Sequence, residues 1–150
     1  MIFEKISKDY IQAMKNRDSL RIVVLSYIKS VIKYREIENR EKKKELTDDD
    51  VIEVISKEIK KREESIEMYK IGGREDLVHK EEKELKVLKE YMPVQMSEEE
   101  IRAKVKEIIQ KVGASCEKDF GRVMKEVMVE LKGKAGGNLI KKIVEESLKL

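Results

Sequence analysis

The chain predicts an all-α protein built as an N-terminal four-helix unit over 1–92 and a C-terminal three-helix unit over 97–150. Three observations carry this. Apolar residues recur three and four apart along nearly all 150 residues, the spacing of one helical face. Charged residues make up 43% of the chain and aromatics 5%, with no Trp, a composition of solvated helices rather than pleated sheet. The periodicity breaks sharply at a few places: Gly72-Gly73, the single proline Pro93, Gly113, and the glycines between 133 and 137.

In order, Ile2, Phe3, Ile6, Tyr10 and Met14 form the apolar face of a first helix, ended by the polar break Asn16-Arg17-Asp18. Leu20, Val23, Val24, Tyr27, Ile28 and Val31 mark a longer second helix reaching about Lys43, with a charged end over 36–45 that reads as a solvated helix terminus. Thr47 is a good N-cap, and Asp48, Asp49 and Asp50 lie over the first turn, where the macrodipole favours acids. Val51, Ile55, Ile59, Ile66 and Tyr69 then mark a third helix, which Gly72-Gly73 ends. A fourth runs from about Arg74 to Tyr91 on Leu77, Leu85, Leu88 and Met92. The short connection requires the third and fourth to pack antiparallel.

Pro93 disfavours a helical Met92, so Met92 to Met96 is a link. Ser97-Glu98-Glu99-Glu100 is a capping box, and Ile101, Val105, Ile108, Ile109 and Val112 follow until Gly113. Phe120, Val123, Met124, Val127, Met128 and Leu131 give the next apolar face. Gly133 can take the left-handed conformation that ends a helix, and Leu139, Ile140, Ile143, Val144 and Leu148 restart the period with Asn138 as N-cap.

The net charge of +3 is small for a nucleic-acid-binding chain, so any RNA contact must come from a local patch. One cysteine, Cys116, precludes an internal disulfide and suits a reducing cytoplasm, the location expected here. The longest apolar run, Ile22 to Leu25, is far short of the ~20 residues that span a bilayer, and no apolar core of a signal peptide follows Met1-Ile2-Phe3-Glu4-Lys5. No membrane partner is expected.

No catalytic or metal-binding constellation is legible, and no cofactor is expected. The single histidine, His79, stands among Glu75, Glu81 and Glu82 with no second His or Cys at ligand spacing. Cys116 has no base near it in sequence. Phosphate loops, dinucleotide fingerprints and nucleophile elbows are absent.

The stretch 132–138 is different. Lys132, Lys134, Lys141 and Lys142 surround the glycines Gly133, Gly136 and Gly137 at a helix start. Free N–H groups there can meet a phosphate, and glycine permits close backbone approach. Lys118, Arg122 and Lys125 add charge, giving seven basic residues against three acidic ones between 118 and 142. On pattern alone, a phosphate-binding turn and a helix–helix turn solubilised by lysines both stand.

The ordered set Ala13-Met14-Lys15, Arg21, Leu25, Lys57-Glu58-Ile59-Lys60, Arg62, Ser65-Ile66, Gly73-Arg74, Asp76-Leu77, Tyr91-Met92-Pro93, Gln95-Met96-Ser97, Gly113-Ala114, Gly121, Val123-Met124-Lys125 and Gly133-Lys134-Ala135 resembles the YqeY-like proteins. These are related to the C-terminal helical and tail regions of the B subunit of the tRNA-dependent amidotransferase. The resemblance covers essentially the whole chain. Two positions depart from the pattern: Ser26 stands where an arginine usually follows the leucine, and Gly136 where an acidic or amide residue usually follows Gly-Lys-Ala.

The resemblance implies an all-helical, two-part fold whose C-terminal unit is similar to a tRNA-binding tail. The amidotransferase's catalytic cradle has no counterpart, so a carbon–nitrogen ligase activity with glutamine as amide donor would follow from the family label only. The leading expectation is a non-catalytic tRNA-binding module, with Lys125, Lys132, Gly133, Lys134, Gly136, Gly137, Lys141 and Lys142 as the RNA contact and no DNA partner. The alternative is an adaptor that meets an aminoacyl-tRNA synthetase or amidotransferase through the charged faces of 36–92.

Overall fold

Side-chain caps and glycines set most of the helix boundaries. The computed structural model describes residues 1–149. The chain is all-helical: α1 Ile2–Lys15, α2 Ser19–Glu41, α3 Asp48–Ile71, α4 Glu75–Lys89, α5 Glu98–Val112, a 3₁₀ turn Glu117–Asp119, α6 Phe120–Glu130 and α7 Gly137–Leu148. Thr47 and Ser97 both form complete capping boxes, with Asp50 and Glu100 answering from the third helical position. Asp18 caps α2 by accepting from the Arg21 N–H. Gly73, at φ 70°, and Gly113, at φ 69°, supply the left-handed residues that follow α3 and end α5.

Contacts divide the chain into Met1–Met92 and Pro93–Leu150. In the first unit, Ile6, Val24, Leu25, Ile28, Ile32, Val51, Ile55 and Leu88 form a core with essentially no exposed surface. A smaller cluster of Ile66, Val78 and Leu85 lies between α3 and α4. The pairs Arg62–Glu84 and Ser56–Met92 run in opposite sequence directions, so these two helices are antiparallel. Tyr91 closes the unit: its hydroxyl donates to Asp9 at 2.6 Å, and burial together with that bond pushes the phenol pKa far above its usual range. Arg21 donates to Glu90 at 2.7 Å beside it.

Several residues that carry the family resemblance therefore have structural work in this unit. Arg21 and Tyr91 hold helix ends, Glu58 is buried and paired with Lys61, and Arg62 pairs with Glu81 and Glu84.

In the second unit, Ile101, Val105, Ile108, Val123, Val127, Leu131, Ile140, Ile143, Val144 and Leu148 form a separate buried cluster. Phe120, Met124 and Leu139 pack against it, half-buried.

Four side chains assigned to apolar faces from the sequence do not lie in the core. Met14 is 54% exposed while Ala13 is buried in its place. Val23 and Tyr27 are 59% and 47% exposed, and α2 instead buries Leu25 and Ile32 beside Val24 and Ile28. Met128 is likewise exposed. Helix α2 has apolar residues on two sides, so periodicity alone could not say which side faces inward.

Candidate nucleic-acid interface

Helix α6 ends at Glu130, and α7 starts at Gly137. Between them the chain turns through Gly133 at φ 75°, a conformation that suits glycine because it lacks a Cβ. Asn138 is not the N-cap. Gly136 holds that place with an extended backbone, and its carbonyl accepts from the Ile140 N–H at 3.0 Å. Glycine has no side chain to cap with, so the N–H groups of Gly137, Asn138 and Leu139 lack the acceptor that Thr47 and Ser97 provide elsewhere. A Cβ built on Gly136 or Gly137 would meet no atom within 4 Å, so space is open above both.

The turn is strapped from the link segment. The Gln95 side-chain amide donates to the Gly133 carbonyl at 2.7 Å and to the Pro93 carbonyl at 3.0 Å. The Met96 N–H donates to the Lys134 carbonyl at 2.9 Å. Two carbonyls of the glycine-lysine turn are thus held by the link, and the Lys134 N–H closes the turn by donating to the Leu131 carbonyl at 2.9 Å. No periodic pattern marks the contact between link and turn in the sequence. Gln95-Met96 and Gly133-Lys134 stood out only as separate fragments of the family resemblance.

Lys125, Lys132, Lys134, Lys141 and Lys142 are all exposed. Lys132 and Lys134 lie in the turn itself, and Lys141 and Lys142 in the second turn of α7. Lys125 is apart from these, on α6 five residues before the helix end. The acid nearest the turn is already answered: Glu130 pairs with Lys104 at 3.1 Å and with Lys111 at 3.9 Å. Asp119 is held by the Arg122 guanidinium at 3.2 Å. The Glu98 carboxyl sits below its ordinary range, mainly through its hydrogen bond from Arg102 and in small part through Lys142. Lys142 therefore faces some negative charge.

Other sites considered from the sequence stay dispersed. His79 is 4.0 Å from both Glu75 and Glu82 on an exposed face of α4, and Cys116 is exposed in the second unit. Among the described residues no three His, Cys, Asp or Glu side chains could share a metal ion, and no helix is long and apolar enough to cross a membrane.

The family model for Yqey-like protein matches residues 3–148. Among curated proteins the chain is 36% identical over 107 residues to altered inheritance of mitochondria protein 41 of Kluyveromyces lactis, covering 69% of this chain and 56% of that one. The protein of the same name from Lachancea thermotolerans matches with the same identity and coverage. An uncharacterized protein of Schizosaccharomyces pombe is 35% identical over 88 residues, covering 59% of this chain and 69% of its own length. The chain thus spans about half the length of the mitochondrial relatives it matches. These names overturn the expectation of a cytoplasmic location, since the relatives that carry a location are mitochondrial. The physical reason is plain: one free cysteine fits any reducing compartment and cannot single out the cytoplasm.

Proposed function

This chain belongs to the YqeY-like family, and from that premise we propose that it is a non-catalytic accessory module that binds tRNA through the α6–α7 turn. The observation that carries the reading is the open α7 N-terminus. Its first-turn N–H groups have no side-chain cap, two glycines leave room above them, and exposed lysines surround them. A phosphate oxygen would accept from the backbone there, and the lysines would neutralise its neighbours along the strand. Phe120, the one aromatic of the second unit, packs on the core. Recognition would therefore be of backbone and shape rather than of stacked bases.

The test is the salt dependence of tRNA binding. Lys132, Lys134, Lys141 and Lys142 can reach about three phosphates between them, which gives a slope of log K against log salt of roughly −2 to −3. Changing all four to Gln should flatten that slope and weaken binding about equally across tRNAs. Gly137→Val should weaken binding at unchanged charge; a Cβ there meets no atom within 4 Å, and circular dichroism of the variant separates a binding loss from strain in the turn. If the four-Gln variant stays folded and keeps the parent's affinity and slope, the turn is only a connection. The adaptor for a synthetase or amidotransferase would then be the better reading.

A further inference from the structure

The second apolar side of α2 has no role in the core. Val23, Tyr27, Ser30, Tyr34 and Ile37 are spaced alternately four and three residues apart, a heptad stripe about 21 Å long. Its four large side chains are 59%, 47%, 71% and 52% exposed. The stripe lies on the other side of the helix from the buried Leu25, Ile28 and Ile32, so it is not a margin of the core. Ser26 and Ser30 lower its middle, where Tyr34 and Tyr10 of α1 wall a groove.

One edge of the stripe is cationic. Lys29, Lys33 and Arg40 fall four and seven apart along it, and Glu36 is the one carboxylate among them. Glu36 pairs with Lys33 at 3.7 Å and with Arg40 at 2.8 Å, which leaves the edge with a net charge of +2. Lys29 lies over the Tyr10 ring at 4.6 Å and Lys33 over the Phe3 ring at 5.3 Å. These contacts hold both ammonium groups along the groove and reduce the side-chain ordering a partner must impose.

We propose that this outer stripe of α2 docks an amphipathic helix of a partner protein, with apolar residues in heptad spacing and Asp or Glu along the edge that meets Lys29, Lys33 and Arg40. Charge selects this occupant over a second copy of the chain. A two-fold axis through Ser30 would match Val23 with Ile37, but it would also lay the cationic edge of each copy along the same edge of the other, with Lys29 of one close to Lys33 of its partner. Side-chain shape selects it over RNA. The branched aliphatic residues at both ends of the stripe offer no face for stacking a base, whereas straight heptad spacing suits a helix.

The experiment uses the full chain and two labelled peptides of about three heptads, both with Leu at a and d. One carries Glu at every e and g position, which prevents it from pairing with itself, and the other carries Lys. Anisotropy should show the Glu peptide bound at least about tenfold more tightly than the Lys peptide, with the difference shrinking as salt shortens the Debye length. Tyr34→Ser with Ile37→Ser should cost about tenfold or more in affinity. Lys29→Glu with Lys33→Glu should reverse the preference between the peptides, a result that partial unfolding cannot produce. Equal binding of both peptides, or of neither, overturns the proposal. So does displacement of the Glu peptide by oligouridylate, which would make the stripe an RNA surface. A parent dimer that Ile37→Ser dissolves would also overturn it, in favour of self-association.

Discussion

Asp50 joins two helices through one carboxylate, and its removal has a calculable cost. It accepts from the Thr47 N–H at 3.0 Å, the Thr47 hydroxyl at 2.9 Å, the Asn39 amide at 3.0 Å and the Arg35 guanidinium at 3.0 Å. In Asp50→Ala, Thr47 still accepts from the residue-50 N–H, so half of the capping box survives and the lost half costs about 0.5 kcal/mol. Arg35 keeps Glu53 at 3.3 Å, which limits that loss to about 1 kcal/mol. Asn39, 7% exposed, is left with only the Glu45 carbonyl at 3.3 Å, for about another 1 kcal/mol. The sum is about 2–3 kcal/mol.

All five tyrosines lie within residues 1–92, so tyrosine emission follows the unfolding of that unit alone. With a urea slope of about 1 kcal/mol/M for a unit this size, the midpoint should fall by roughly 2–3 M. The same carboxyl gives a pH signature. Burial alone would raise its pKa, but the bonds from Thr47 and Asn39 and the Arg35 charge outweigh burial and hold it below the usual value. Its contribution is then fully present above the unfolded pKa of about 3.9 and is lost as pH falls through the lower folded value. The parent should lose stability below about pH 4 more steeply than Asp50→Asn. A midpoint shift for Asp50→Ala under about 0.3 M, or an unchanged acid limb in Asp50→Asn, would refute this account.

Three further outcomes follow from the structure. Val94, 92% exposed beside Pro93, should be the first site nicked by elastase, and both fragments should stay helical; unfolding of 93–149 on cleavage would mean that the two cores do not fold separately. Gly136→Asp supplies the missing cap of α7, so it should raise stability by about 0.3–1 kcal/mol and weaken tRNA binding; a shift of both quantities in the same direction contradicts the phosphate reading. Cys116→Ala and His79→Ala should leave any glutamine-dependent amidation of charged tRNA unchanged, and a large loss in either would place chemistry where exposed, dispersed side chains predict none.

The helices were legible because their punctuation is chemical. Thr47, Ser97, Gly73 and Gly113 cap or end helices for reasons that act within four residues. The inward faces were less legible where two stripes compete on one helix. Val23 and Tyr27 satisfy the helical period as well as Leu25 and Ile32 do, and only packing against the other helices of the unit decides which pair is buried. Met128 and Met14 failed similarly, since methionine at an apolar spacing does not reveal whether anything covers it. At the turn, the lysines and Gly133 were legible, but the N-cap was set two residues too late, at Asn138 instead of Gly136, because a glycine N-cap leaves no side-chain signature.

Gln95 and Gly133 are 38 residues apart, and their hydrogen bond closes a loop containing α5 and α6. Closing a loop of that length costs about 3 kcal/mol in chain entropy, more than one or two hydrogen bonds return. The strap can therefore form only after the apolar core of the second unit has already brought the ends together. The shape of the glycine-lysine turn is thus assembled rather than local. A short peptide copying 130–145 would carry the same lysines and glycines and would attract RNA by charge. Without the two tied carbonyls it would bind without regard to Gly137→Val, whereas the folded chain would respond.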